Sequence, residues 1–340
     1  MKNILAQYGF DEADCVVRPF GNGLINHTWI VETNGQRFIL QKINQEVFSS
    51  PESIAFNIHL VADHLEKNYP NYLFVVPVQT VGGQNMFVSN EGYFRLFPFV
   101  EGSHTIDVPE KASQAYEAAR QFAGFTKRLS ALDPNRLKIT LPNFHDLTLR
   151  YQQFELAMNY GDPSRIKYSQ DLIDFIVAHK RILGEFEYHR PDLRVRCIHH
   201  DTKISNVLFD EKDKGLCVID LDTVMPGYFT SDVGDMMRTY LSPVSEEESD
   251  LSKIFIRKEF YDAIVTGYLD EMKDELRESE KENFLLSGKF MIYMQAIRFL
   301  TDHLNNDIYY GAKYEGHNRV RAANQSMLLE KLLDFEKGLF

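Results

Sequence analysis

Cysteine is scarce in this chain, with only Cys15, Cys197 and Cys217 among 340 residues. Three scattered thiols are too few for a disulfide framework and lack the paired spacing of a Cys-rich zinc site. Uninterrupted apolar sequence is also lacking. No stretch of about 18 uncharged apolar residues occurs, so a transmembrane helix is not expected. Met1–Leu5 runs on into Gln7 and Asp11 without the apolar segment of a signal peptide. Positive charge is in deficit, with 37 Lys and Arg against 49 Asp and Glu and a formal charge of −12. Nucleic acid and anionic lipid are bound largely by Lys and Arg meeting phosphate, so neither polymer is expected as a partner. Together these absences predict a cytoplasmic protein, and nothing in the sequence specifies an oligomeric state.

What is present is an ordinary globular composition, 44% hydrophobic and 25% charged, which removes disordered, collagenous and coiled-coil classes. At about 100–200 residues per domain, the length predicts two units. Residues 1–100 carry short β-type runs, Thr28–Glu32, Arg37–Ile43, Leu73–Val78 and Tyr93–Val100, with Thr33-Asn34-Gly35 as a hairpin turn. One helix interrupts them, Pro51–Asn68, which places Ile54, Ile58, Val61 and Leu65 on a single face. Beyond Pro109 helical spacing dominates, over Pro109–Ala131, Leu147–Tyr160, Ser169–His189, Ser245–Leu276, Glu280–Asn305 and Asn318–Leu339. Glu246-Glu247-Glu248 is expected as a solvated helix start. The pattern predicts an α+β fold, a small strand-rich unit over residues 1–100 followed by a larger, mainly helical unit over residues 101–340.

The exception among the helices is Val195–Asp222, where Arg196–His199, Asn206–Phe209 and Leu216–Leu221 are short β-type runs. A loop that leaves a strand at Asp201 and re-enters one at Asn206 aims both side chains into one space. A hairpin partner ending in Ile219-Asp220 delivers a second carboxylate there. Phosphoryl transfer uses such a set: one carboxylate accepts the proton of a hydroxyl while an Asn and another Asp hold Mg2+ on nucleotide phosphates. Lys203 stands where a cation meets the transferring group. His199 and His200 do not read as a zinc pair, because neighbours on an extended segment point to opposite sides and no third ligand is near. His199 is expected to brace the loop through a backbone hydrogen bond.

On His199–Phe209 and Val218–Gly227 the chain resembles the aminoglycoside phosphotransferase-like (choline kinase-like) small-molecule kinases, over most of its length. Within them it most resembles the N-acetylhexosamine 1-kinases. The resemblance implies a protein-kinase-like two-lobed fold with ATP as co-substrate and Asp201 as catalytic base. It implies Mg2+ on Asn206 and Asp220, Asp222 as a carboxylate for a second metal ion or behind the first, and Asp232 as a brace for the catalytic loop. Asp235 serves equally well as a helix cap. The implied reaction is phosphorylation of the anomeric hydroxyl of GlcNAc or GalNAc. A kinase of an amino alcohol, homoserine or an aminoglycoside would share the fold, and a nucleotide-binding pseudokinase is the reading without turnover.

Phe20–Trp29 contains Gly21 and Gly23 in a turn between strands, which serves as a plain hairpin or, by resemblance, as the loop covering the phosphates. In the next strand Lys42 is the favoured phosphate cation, and the register decides between it and Gln41; Glu46 and Glu52 are the acids available as its partner. Phe97 and Phe99, either side of Pro98, form an apolar wall for adenine at a hinge. A sugar acceptor needs hydrogen-bonding groups set against an aromatic face. Arg298 and Asp302 lie four apart on one helix face, where a simple ion pair is the alternative to a binding role. The resemblance assigns Arg298 and Tyr309 to the sugar, with Asp201 at its hydroxyl and His27 reaching in from the glycine loop.

Overall fold

A computed structural model describes residues 1–21 and 25–338. A short helix α1 (Lys2–Ala6) precedes five strands, β1 (Cys15–Pro19), β2 (His27–Thr33), β3 (Gln36–Lys42), β4 (Phe87–Ser89) and β5 (Gly92–Pro98). They form one antiparallel sheet in the order β1-β2-β3-β5-β4. Asn34 and Gly35, with φ of +50° and +74°, close the β2–β3 hairpin in the left-handed conformation that a tight turn of this kind requires. Val31, Leu40, Phe94 and Leu96 pack on one face of the sheet with Ile4 and Leu5 of α1. Side-chain alternation therefore turns Thr28, Gln41 and Arg95 to the other face, toward the rest of the chain. The run Leu73–Val78 is not a strand. Its one bond to the sheet is Val78 N to Leu96 O at 2.6 Å.

Helix α2 (Pro51–Asn68) buries Ile54, Ile58, Val61 and Leu65, and these join the large core of the helical half rather than the small core of the sheet. That half comprises α3 (Ala112–Arg128), α4 (Leu147–Tyr160), α5 (Pro163–Tyr168), α6 (Gln170–Ala178), α7 (Arg181–His189), α8 (Phe229–Tyr240), α9 (Lys258–Met272), α10 (Glu278–Lys281), α11 (Phe284–Leu304) and α12 (His317–Lys337). Helix α11 is its spine, buried on almost every side and packed on α4, α8 and α12. Close approach to α8 depends on Gly234, where a Cβ would stand 2.4 Å from the Ser287 carbonyl oxygen. Between α7 and α8 run four short strands, β6 (Arg196–Ile198), β7 (Val207–Phe209), β8 (Gly215–Val218) and β9 (Met225–Gly227), paired as β6–β9 and β7–β8.

Two helices expected from spacing differ. Ser169–His189 breaks into α6 and α7 at His179-Lys180, where Lys180 N donates to Val177 O in a tightened last turn and the His179 ring meets Phe175 O at 2.8 Å. The segment Ser245–Leu276 is helical only over α9, and Glu246 is not a solvated helix start: it is drawn inward between Arg238 and Arg321. Among the described residues no helix is long and apolar enough to cross a membrane.

Asn57 joins α2 to the segment that follows β8. It is fully buried, its Nδ2 donates to Lys138 O at 2.8 Å and Val224 O at 2.9 Å, and its Oδ1 accepts from Lys138 N at 2.7 Å. Asn57→Ala is expected to lower unfolding free energy by about 2–4 kcal/mol, since it strands one buried and two part-buried backbone groups. Urea denaturation followed by circular dichroism measures this, and a loss under about 0.5 kcal/mol would contradict the assignment.

Candidate active site

The segment after β6 is shaped by hydrogen bonds from α8. Asp232 Oδ1 accepts from His200 N at 2.7 Å and its Oδ2 from His199 N at 3.2 Å. Asp235 Oδ2 accepts from Thr202 N at 2.8 Å, and Thr202 Oγ1 donates to Asp232 O at 2.7 Å. These four bonds hold His200 at φ +67°, a left-handed turn that swings Asp201 out of the strand direction. Both histidine rings meet backbone carbonyls, His199 Nε2 at 2.9 Å from Ile219 O and His200 Nδ1 at 3.1 Å from Thr223 O. Thr223 Oγ1 donates to His199 O at 2.7 Å. The loop and the segment after β8 are thereby fixed to each other.

Asp201 Oδ1 lies 3.1 Å from Lys203 Nζ, and Oδ2 accepts from Asn206 Nδ2 at 3.1 Å. Asn206 Nδ2 also donates to Asp201 O at 2.9 Å, so the two residues share one orientation. Enclosure pushes the Asp201 carboxyl up, but Lys203, His199 and Arg238 outweigh it and leave the group below its ordinary range. Lys203 is raised, chiefly by Asp201. Asp220, in the left-handed region at φ +59°, has no hydrogen-bond or ion-pair partner among the described residues. Enclosure, then the Asp222 and Asp201 charges, push its carboxyl up to about 7.

Asn206 and Asp220 offer hard oxygen donors in a place with surplus negative charge, which suits Mg2+. Among the described residues no cluster of three His, Cys, Asp or Glu could hold a metal unaided. Mg2+ ordinarily takes one or two protein carboxylates and completes its shell with water and phosphate, so the donor set fits that ion. Asp222 is not open in the same way. It is buried, with Oδ1 2.5 Å from Arg95 Nη1 and Oδ2 accepting from Asn26 Nδ2 at 2.8 Å.

The sheet puts Lys42 and His27 on one face and Arg95 on the other. Lys42 stands opposite Phe94 in the β3–β5 register, on the small-core face, with Nζ 6.0 Å from the Phe94 ring. It turns away from Asp222, and neither Glu46 nor Glu52 pairs with it; Glu52 accepts from Tyr93 Oη at 2.7 Å. His27 shares the Lys42 face, its exposed ring 6.2 Å from that of Trp29, and it is its neighbour Asn26 that reaches Asp222. Phe97 lies on the Arg95 face, its ring 5.1 Å from the guanidinium, and Phe99 stacks against Arg37 at 4.1 Å. Gly21 has φ +74°, and Gly23 lies outside the described residues.

On the side facing the helices, Arg298 is surrounded by the rings of Phe144 at 5.3 Å, Tyr310 at 5.4 Å and Tyr309 at 5.8 Å. Its hydrogen bonds are to Gln295 Oε1 at 3.2 Å and Tyr309 Oη at 3.5 Å. No ion pair with Asp302 forms. Asp302 is buried and instead accepts the amides of Tyr309 at 2.7 Å and Tyr310 at 2.9 Å, which folds the loop that brings Tyr309 beside Arg298. Phe144 also lies 6.4 Å from the His200 ring, which carries the aromatic wall toward Asp201. Nearby carboxylates are already neutralised. Asp235 pairs with Arg238 at 2.8 Å, Glu246 with Arg238 and Arg321, Glu247 with Lys313 at 3.1 Å, and Asp307 with Arg165 at 2.5 Å.

Sequence reasoning missed Arg95, Asn26, Phe144 and the Arg238–Glu246–Arg321 chain. Arg95 did leave a signal, a charged residue inside the apolar strand Phe94-Arg95-Leu96-Phe97. The others meet partners far along the chain, such as Asn26 with Asp222 and Arg321 with Glu246.

The profile of the phosphotransferase enzyme family matches residues 16–278. Among solved structures, a microcompartment-associated aminopropanol kinase superposes with a TM-score of 0.68 at 16% identity, covering 99% of this chain and 97% of that one. A spectinomycin phosphotransferase in complex with ADP and spectinomycin gives 0.62 at 10% identity, with 98% and 97% covered. A choline kinase from Cryptosporidium parvum gives 0.58 at 13%, with 96% and 92% covered. At these identities the likeness is one of fold.

Burial, reinforced by the neighbouring His199, pushes the His200 imidazole down to about 3, against about 6.5 in an unfolded chain. The unfolded state therefore binds the extra proton first, and this group's contribution to stability is complete above about pH 6.5 and lost as pH falls toward 3. His200→Asn keeps a donor near Nδ1 and tolerates the positive φ. Relative to the variant, the parent chain is expected to lose up to about 1.4 kcal/mol more stability per pH unit below pH 6.5. Parallel slopes in urea titrations from pH 7.5 to 5 would refute this.

Proposed function

The chain belongs to the phosphotransferase enzyme family, and from that premise we propose that it transfers the γ-phosphoryl group of ATP to the anomeric hydroxyl of an N-acetylhexosamine, GlcNAc or GalNAc. In this reading residues 1–100 hold the nucleotide and residues 101–340 carry the catalytic loop and the acceptor. Asn206 and Asp220 would hold Mg2+, which when bound neutralises charge on the nucleotide phosphates. Asp201, kept ionised by Lys203 and His199, accepts the proton of the acceptor hydroxyl. Its hydrogen bond from Asn206 orients the carboxylate so that one oxygen stays with the loop while the other faces Lys203. Lys203 offers an ammonium beside the transferring group.

The acceptor class rests on one observation: Arg298 has aromatic and amide neighbours but no carboxylate partner among the described residues, while Asp302, one turn along the helix, is spent on the amides of Tyr309 and Tyr310, and Asp235 and Glu246 are paired with arginines. A cationic amino alcohol or aminoglycoside needs an unpaired acid to meet its ammonium. A neutral sugar bearing an acylamino group instead suits a guanidinium donor set among aromatic faces.

The test is Mg·ATP consumption with GlcNAc, GalNAc, choline, homoserine and kanamycin, followed by NMR of the product. A sugar 1-phosphate is expected, and phosphorylation of choline or kanamycin in preference would overturn the acceptor assignment. Asp201→Asn is expected to lower kcat by about 10²–10⁴-fold while nucleotide affinity changes little. Retained turnover in that variant would remove Asp201 as the base.

A further inference from the structure

On the face of β3 that meets Asp222 the neighbouring position is Gln41; Arg37, at the other end of that face, is paired with Glu101, and Lys42 is turned the other way. The cation that reaches Asp222 from this face is Arg95, directly opposite Gln41 on β5 and 3% exposed. Gln41 Oε1 accepts from Arg95 Nε at 3.0 Å and from Nη2 at 2.8 Å, and Gln41 Nε2 is itself held by Thr28 Oγ1 at 3.4 Å. The guanidinium is thus presented as a fixed fork, its remaining edge toward Asp222 Oδ1 at 2.5 Å. That contact is poorly aligned: Arg95 Nη1 and Asp222 Oδ1 are both buried and neither makes a satisfactory hydrogen bond. A buried guanidinium with an unsatisfied N–H, whose carboxylate partner Asp222 stands two residues after Asp220, is suited to a phosphate oxygen, which accepts bidentate bonds from arginine as a carboxylate does.

We infer that Arg95, presented by Gln41, is the residue of the nucleotide half that binds the polyphosphate of the co-substrate directly, in the place where Lys42 was expected. The inference rests on the nucleotide part of the proposed function and is independent of the acceptor. Asp222 holds the guanidinium in the protein without nucleotide, and Asn26 holds Asp222.

The test is calorimetric affinity for ADP and for adenosine, each in Mg2+ and in EDTA, with circular dichroism to confirm folding. Arg95→Gln is expected to weaken ADP at least tenfold in both buffers while leaving adenosine unchanged, and Lys42→Gln is expected to change neither by more than twofold. Because a buried arginine can be needed for folding, the double variant Gln41→Lys with Arg95→Gln restores a cation on the same face and is expected to recover most of the ADP affinity. A tenfold loss on Lys42→Gln overturns the assignment. So does an Arg95→Gln effect confined to Mg2+, which would make Arg95 only the anchor of Asp222, or an effect of equal size on adenosine. The acceptor reading is judged separately, from the phosphorylated product.

Discussion

Asp232 spends both carboxylate oxygens on the backbone amides of His199 and His200, and the placement of every group around Asp201 follows from that arrangement. One turn later Asp235 takes the amide of Thr202. Buried amides must find acceptors, and an anion in the first turn of α8 is favoured by the helix dipole. The cost is visible in Asp232 itself, whose carboxyl burial pushes up to about 7. What offsets it is the pair of charge-assisted bonds that keep His200 in a left-handed turn, a conformation costing about 1–3 kcal/mol on its own. The position of Asp201 is thus inherited from helix packing: α8 sits against α11 at Gly234, and the loop hangs from α8.

Charge is distributed unequally around that loop. Toward the helical side, acids and arginines alternate through Asp235, Arg238, Glu246 and Arg321, so that side is close to neutral and leaves Arg298 as a cation without an acid. Toward the sheet, Asp220 and Asp222 outnumber the one buried cation, Arg95. An acidic chain that repels polymeric anions can still bind a nucleotide if a divalent cation comes with it, because the surplus carboxylates then become ligands. The acidic surplus and the unpaired Arg298 thus fall on opposite sides of Asp201.

The sheet and the helices have separate cores, with α2 packed into the helical one. Polar contacts from the sheet side, Asn26 and Arg95 on Asp222, converge on the segment after β8, which Asn57 of α2 also holds at Val224. The carboxylates of that segment therefore respond to the sheet's position as well as to the catalytic loop.

Much of this was legible without coordinates, because local patterns carry it. The helix Pro51–Asn68, the helix Leu147–Tyr160 and the Asn34-Gly35 hairpin lie where apolar spacing and turn chemistry put them. Asn206 follows Asp201 by five positions, and two short strands hold them, so their meeting is a local event as well. What depended on register was not legible: a one-residue shift flips every side chain of a strand, and only pairing of β3 with β5 decides that Gln41 and Arg95, not Lys42, face Asp222. The fates of Glu246 and Asp302 were hidden for a second reason. Glu246 has its cations on α8 and α12, and Asp302 has its donors in the loop that follows, so an acidic run and an i,i+4 pair read as surface charge. The sequence by itself determined the elements and the catalytic loop, through interactions spanning a few residues. Tertiary structure alone decided which cation and which acids enter the site, because burial and long-range pairing set the electrostatic cost of each.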